Sequence, residues 1–315
     1  MTVRWAGFAA PFRWLVSAVD VGRHQPGVVI AAALVLAAAQ TVPGLFSQLL
    51  TATGLPPGVS MGVSQAFGML VSLLVFPVLL GGFYRILDGA DRGTPVRFGL
   101  LGEGFGDGSM RRLVVTQLLV ILSFLLVLAV MIAVIFASIG ADGFQALAAW
   151  FQQVAAMQAE QAAGTASIAP PAPPGGMGMM AAVFLAFMPL FILLGFGGSV
   201  AIAEAALRGS GARDAFSLGM RAAFTNAASL LVMVLVLMLP VTLLMALVAF
   251  VVTAIAGVLG LVSPALAGIV AVLLFLPLTA LFLAWLYAFS LQAWRSICGG
   301  DAGMPPAQSS LGFEA

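Results

Sequence analysis

The chain has 315 residues, of which 62% are hydrophobic and 7% charged, with a formal net charge of +1. Soluble domains carry about 25% charged and roughly 45–50% apolar residues, so water is not the principal solvent of this chain. A balance this close to neutral says little about partners, and nucleic acid is not expected among them.

Taken from the N-terminus, Phe8, Phe12, Leu15 and Val19 recur at helical spacing, with Arg13, Asp20 and Arg23 off that stripe and Gln25 with Pro26 forming a polar step. Trp5, Phe8, Phe12 and Trp14 stand among charges there, in place of a compact apolar stretch with a cleavage site, so no cleaved signal peptide is expected. Two apolar runs follow, 28–49 and 63–87. Each matches the roughly 30 Å hydrocarbon thickness of a bilayer at about 1.5 Å per helical residue. A glycine-rich segment from Phe98 to Phe105 leads into a third run, 113–139. Next comes an alanine- and glutamine-rich helix at 142–163, with Phe144, Leu147, Phe151, Val154 and Met157 on one face. It is expected to lie flat on the membrane or cap the bundle. The tract SIAPPAPPGG, 167–176, then forms an extended, semirigid linker. After the fourth run, 179–207, Phe216, Met220 and Phe224 make a second amphipathic stretch flanked by Arg213 and Arg221, with Asn226 at its polar step. The fifth and sixth runs are 228–258 and 265–294. Pro43, Pro77, Pro189, Pro240 and Pro277 lie in or near the runs and predict kinks, because each frees a carbonyl that a neighbouring helix must satisfy. The prediction is an all-α membrane protein of six transmembrane helices in a single transmembrane domain, 1–315.

Every one of the twelve basic residues is arginine. Arg4, Arg13 and Arg23 precede the first run, and Arg85, Arg92, Arg97, Arg111 and Arg112 lie between or beside the second and third. Arg208, Arg213 and Arg221 separate the fourth from the fifth, and Arg295 follows the sixth. The alternate loops, 50–62, 140–178 and 259–264, hold no basic residue and only Asp142 and Glu160 as acids. Short arginine-rich loops stay in the cytoplasm, which predicts a multi-pass protein of the bacterial inner membrane with both termini inside.

An internal repeat accompanies this pattern. YRILDGADRGTP from Tyr84, laid over WRSICGGDAGMP from Trp294, matches Arg85 with Arg295, Gly89 with Gly299, Asp91 with Asp301, Gly93 with Gly303 and Pro95 with Pro305. Arg208, Gly209 and Ser210 echo Arg92, Gly93 and Thr94 more weakly. Three copies of an interfacial helix plus two spans, about 1–95, 96–209 and 210–305, account for the chain. Such helices can lie at headgroup level, which makes Arg13, Arg23, Arg111, Arg112 and Arg221 candidate lipid-facing residues and membrane lipids the expected partners. Other membrane proteins are the second class of partner expected.

The segments FYRILDGADRGTPVRFGLLGEGF and EAALRGSGARDAFSLGMRAAFTNAASLL resemble uncharacterised six-helix bacterial membrane proteins related to the membrane domain of glycerophosphoryl diester phosphodiesterases. The resemblance implies the six-helix architecture. In that group the membrane domain can precede a soluble phosphodiesterase, whereas only about twenty residues follow the last run here, and no catalytic module is expected.

Catalysis would need converging acids, bases, nucleophiles or metal ligands. One histidine, His24, and one cysteine, Cys298, are present, with no H-E-x-x-H, Walker A or G-x-S-x-G stretch. His24 is expected to be a solvated interfacial residue, and GEGFGDG at 102–108, with no lysine after it, a flexible turn. No catalytic residue, metal site or cofactor is predicted. A charge within the hydrocarbon costs at least about 2.5–3.5 kcal/mol and so marks a place of interest. Glu204 is the candidate, four residues before Arg208, and the two can pair on one helical face. Arg85 and Asp88 permit a similar local pair, and interhelical hydrogen bonds are expected for most hydroxyls within the runs. Gly195 with Ser199, and Ala201 with Ala205, permit close helix packing. The functional expectation is a noncatalytic envelope or scaffold protein that binds membrane components, with a small transporter or channel for a lipidic or weakly polar solute as the alternative.

Overall fold

The computed structural model describes residues 3–53, 55–162, 171–260 and 263–299. The elements are α1 (Ala10–Asp20), α2 (Pro26–Ala52), α3 (Pro57–Leu70), α4 (Phe76–Asp91), α5 (Leu100–Glu103), α6 (Met110–Ala162), α7 (Met177–Leu207), α8 (Ala212–Thr225), α9 (Ala227–Gly260) and α10 (Pro264–Cys298), with no strand among the described residues. Six stretches are long and apolar enough to cross a bilayer: Pro26–Leu50, Gly58–Asp91, Met110–Met157, Met177–Leu207, Ala227–Ile255 and Leu274–Cys298. The chain is an all-helical, multi-pass membrane protein.

Several helices outrun the apolar runs that announce them, because a helix keeps its hydrogen bonds after it leaves hydrocarbon. In the second span a π-helical turn, Val71–Val75, joins α3 to α4 immediately before Pro77. The proline ring would crowd the carbonyl of Leu73 in a regular helix, and a wider turn relieves that contact. Within α6 the chain breaks at Gly140, where φ is 71° and ψ 178°. An L side chain is strained there, so glycine breaks the helix and the described part of the amphipathic helix predicted at 142–163 begins beyond it.

Two compact units divide the chain, Met1–Leu119 with Gly195–Ala315, and Val120–Leu194. In the second unit, Met131, Ile135 and Val183 are buried, with Ile139, Met180, Phe187 and Phe191 packed around them. The Trp150 Nε1–H on the outer helix donates to the Pro171 carbonyl at 3.1 Å, anchoring the described part of the proline-rich linker. Residues 167–170 of that linker lie outside the described residues.

In the first unit, burial concentrates at one end of each span. Ala32, Leu36 and Ala37 of α2, Phe83 to Leu87 of α4, Val200 to Ala205 of α7 and Leu291 to Ile297 of α10 form the core. The amphipathic helices pack directly on it. Trp14 of α1 lies 6.4 Å from the ring of Phe196 and 6.1 Å from that of Phe289. Ala10, Trp14 and Ala18 are the buried face of α1, while Phe8 and Val19 of the predicted apolar stripe stay exposed. Close backbone approach of α8 to α7 occurs at Gly197 and Gly219, where a Cβ on Gly219 would come within 2.3 Å of the Gly197 oxygen. The middle amphipathic segment shrinks to the four-residue α5, seated on Gly82 of α4.

Candidate functional site

The last four carbonyls of a helix lack intrahelical donors and together carry the negative end of its dipole. In the first unit, three helix ends are served by arginines from one another. Arg85 of α4 donates from Nε to the Ala206 carbonyl at the end of α7, at 3.4 Å. Arg208, which follows α7, donates from Nη2 to the Cys298 carbonyl at the end of α10, at 2.9 Å. Arg295 of α10 donates from Nη2 to the Asp88 carbonyl near the end of α4, at 3.5 Å. The three bonds close a ring running from α4 to α7 to α10 and back to α4.

Carboxylates neutralise the same arginines. Arg295 reaches Asp88 Oδ1 at 2.6 Å and also bonds Asp91, while Arg92 pairs with Asp88 at 3.1 Å. Glu204 is 1% exposed. Its Oε2 accepts the Trp294 indole N–H at 2.8 Å and its Oε1 the Ser210 hydroxyl at 2.7 Å. Arg208 lies 3.6 Å from Oε2 and stacks over the Trp294 ring at 5.0 Å. The predicted Glu204–Arg208 pair is therefore present, inside a four-residue cluster that draws on α10. Adjacent residues on α10 point about 100° apart, which lets Trp294 reach α7 while Arg295 reaches α4.

The local pair that spacing permits between Arg85 and Asp88 does not form. Arg85 turns to Asp107 at 2.7 Å and Glu103 at 3.6 Å, and donates to Ser109 Oγ at 3.3 Å. This pins the GEGFGDG segment, expected to be a flexible turn, to α4. The Ser109 hydroxyl and N–H, with the Arg85 guanidinium, hold the Asp107 carboxyl down to about 2.

A second set of bonds lies at the polar steps. Gln25 donates from Nε2 to Thr94 O at 2.6 Å and accepts from Val96 N–H at 3.0 Å. Asn226 donates from Nδ2 to Arg4 O at 3.4 Å and accepts from Ala6 N–H at 2.9 Å. Each side-chain amide thus grips the carbonyl and N–H of residues two apart, in the segment that leads into an amphipathic stretch. Arg112, at the start of α6, grips the third such segment with one bond, from Nη1 to Gly209 O at 3.3 Å. His24 is likewise engaged, with Nδ1 at 3.2 Å from Ala90 O.

Of the predicted lipid-facing arginines, Arg13, Arg23, Arg111 and Arg221 are exposed, whereas Arg112 is half-buried and turned to Gly209. A cavity of about 240 Å³ opens beside Glu204, lined also by Ser210, Asp214, Ser217 and Arg221. Among the described residues, no group of three or more His, Cys, Asp or Glu side chains converges on a metal-sized space. The hydroxyls of Thr116, Ser199 and Ser290 bond the carbonyl four residues back in their own helices. The Tyr84 side chain is fully buried, with its hydroxyl beside Ser199 and Ser290. Trp294 and Ser210 are the site residues that sequence reasoning missed. The indole at 294 was signalled only by its place opposite Tyr84 in the repeat, and Ser210 by its place opposite Thr94. No family model, curated protein or solved structure matches the chain.

Proposed function

We propose that this chain is a noncatalytic scaffold of the bacterial inner membrane, binding lipids and other membrane components through a rigid base at the arginine-bearing ends of its helices. The ring of three arginine-to-carbonyl bonds carries this reading. In it the charged groups of Arg208, Glu204, Arg295, Asp88 and Asp91 are consumed in joining helices, so none is left poised to attack or protonate a substrate. The tendency of arginine-rich loops to stay in the cytoplasm supports a cytoplasmic position for that base and both termini.

The reading includes three repeats of an interfacial helix plus two spans. Two features support them: the cyclic order of the arginine bonds, and the shared grip of Gln25, Arg112 and Asn226 on the segment preceding the next amphipathic stretch. Residues 301, 303 and 305 of the repeat alignment lie outside the described residues. The reading also keeps the resemblance to six-helix proteins related to the membrane domain of glycerophosphoryl diester phosphodiesterases, taking from it an architecture and no activity.

A second reading, a small transporter for a lipidic or weakly polar solute, draws on the cavity of about 240 Å³ beside Glu204. Glu204→Ala separates the two when melting temperature in detergent and solute flux in proteoliposomes are measured together. A scaffold loses thermal stability and shows no flux with or without the substitution. Flux by the parent protein that the variant abolishes would install the transporter in its place.

A further inference from the structure

A groove of about 300 Å³ lies along the first unit between the turn after α1, the start of α2 and the middle of α10. Val19, Val29, Ile30, Leu281 and Trp285 contribute to its apolar walls, and among the described residues Arg23 is the one charged residue on its lining. The turn that carries Arg23 is fixed on both sides. Gly22 has φ of 85°, and a Cβ on it would meet Val29 at 2.8 Å, so glycine is required there. The Arg23 N–H donates to Asp20 O at 3.2 Å and the Gln25 N–H to Gly22 O at 2.9 Å. The side chains of His24 and Gln25 are held by Ala90 and by Thr94 with Val96. Arg23 alone in that stretch of polar residues has no side-chain hydrogen bond or ion pair among the described residues.

We propose that this groove is a binding site for an anionic phospholipid, with an acyl chain along the α2–α10 wall and the phosphate held by the Arg23 guanidinium. The inference rests on the reading that membrane lipids are partners of this chain, and it names one site and one lipid class. An apolar channel that begins where the first span begins faces acyl chains, and a guanidinium at its mouth offers phosphate a bidentate donor. Among the described residues, no carboxylate lines the groove. An ammonium or choline group would therefore find no counter-charge, which selects a headgroup of net negative charge.

Trp285 makes the occupant visible. The full chain in detergent is titrated with phosphatidylglycerol brominated on its acyl chains, and separately with brominated phosphatidylcholine. Indole fluorescence is read for the parent protein and for Trp285→Phe, and their difference reports the groove. Quenching of the Trp285 component is expected at about tenfold lower phosphatidylglycerol than phosphatidylcholine. Arg23→Gln should raise the phosphatidylglycerol requirement about tenfold and remove the preference, the loss of one charge-assisted contact, while Arg97→Gln, at an exposed arginine outside the groove, leaves both unchanged. Equal quenching by the two lipids that Arg23→Gln does not alter would overturn the site. Equal weakening by Arg97→Gln and Arg23→Gln would overturn it too, but would leave a general lipid-binding collar standing. A parent protein that retains no phosphatidylglycerol in preference to phosphatidylcholine at all would remove both.

Discussion

The two ends of the same spans in the first unit are built on opposite rules. At the arginine-bearing ends, side chains of α4, α7 and α10 are buried and each helix terminus is bonded to a neighbour. At the far ends, Leu45 and Leu49 of α2, Met61 and Met69 of α3, and Leu243 and Leu247 of α9 are exposed and touch little. Apolar side chains gain nothing by leaving lipid for one another, so only packing, hydrogen bonds and ion pairs can hold helices together in a bilayer. The base has all three, whereas the described residues of the far ends are mostly apolar and exposed. Substitutions should accordingly matter by position along a helix more than by size.

The largest effect is expected at Arg295. Arg295→Ala strands the carboxylates of Asp88 and Asp91 and opens the α10-to-α4 bond, a loss on the scale of about 3 kcal/mol for a mostly buried pair, seen as a sharply lowered melting temperature in detergent. Adding Asp88→Asn and Asp91→Asn should restore part of it, because the uncompensated charges then disappear. Glu204→Ala comes next, at roughly 2 kcal/mol, since it leaves the buried Trp294 N–H and the Ser210 hydroxyl without their acceptor and removes the carboxylate beside Arg208. Glu204→Gln should cost less, retaining an acceptor for one of them. At the far end, Leu243→Ala is expected to change melting by no more than about 0.5 kcal/mol, and a cost equal to that at Glu204 would contradict the contrast between the two ends.

The six spans were legible because a bilayer demands uninterrupted apolar runs, and no local rearrangement can hide them. The Glu204–Arg208 pair was legible for an equally local reason, four-residue spacing on one helix face. Trp294 lies 90 residues from Glu204. Its role depends on the rotation of α10 about its axis, which nothing in a local window fixes. Arg85 shows the converse. Spacing allowed a pair with Asp88, but the free carbonyls of α7 and the Asp107 turn competed for the guanidinium, and Arg295 took Asp88 instead. Gln25 and Asn226 were visible as polar steps before spans, yet the segments they grip lie 69 and 220 residues away in the chain.

Smaller effects test the base in finer detail. Asn226→Ala should cost about 1 kcal/mol and release the segment from Arg4 to Ala6, measured as faster hydrogen exchange at the Ala6 amide with little change in the core of α10.

A small, pH-dependent effect belongs to Asp107. Its carboxyl is held down to about 2 in the folded chain, against an ordinary 3.8, so the folded state favours the ionised form. Such a group contributes stability that is fully present above about pH 4 to 5 and lost as pH falls towards 2, since protonation then costs the folded state more than the unfolded one. The side chain is 32% exposed, and solvent screening reduces the contribution to below about 1 kcal/mol. Asp107→Asn should therefore melt slightly below the parent at neutral pH, with the gap closing between about pH 4 and pH 2. A gap that persists unchanged at pH 2 would mean that Asp107 holds the turn through its neutral hydrogen bonds to Ser109, with Arg85 contributing nothing through charge.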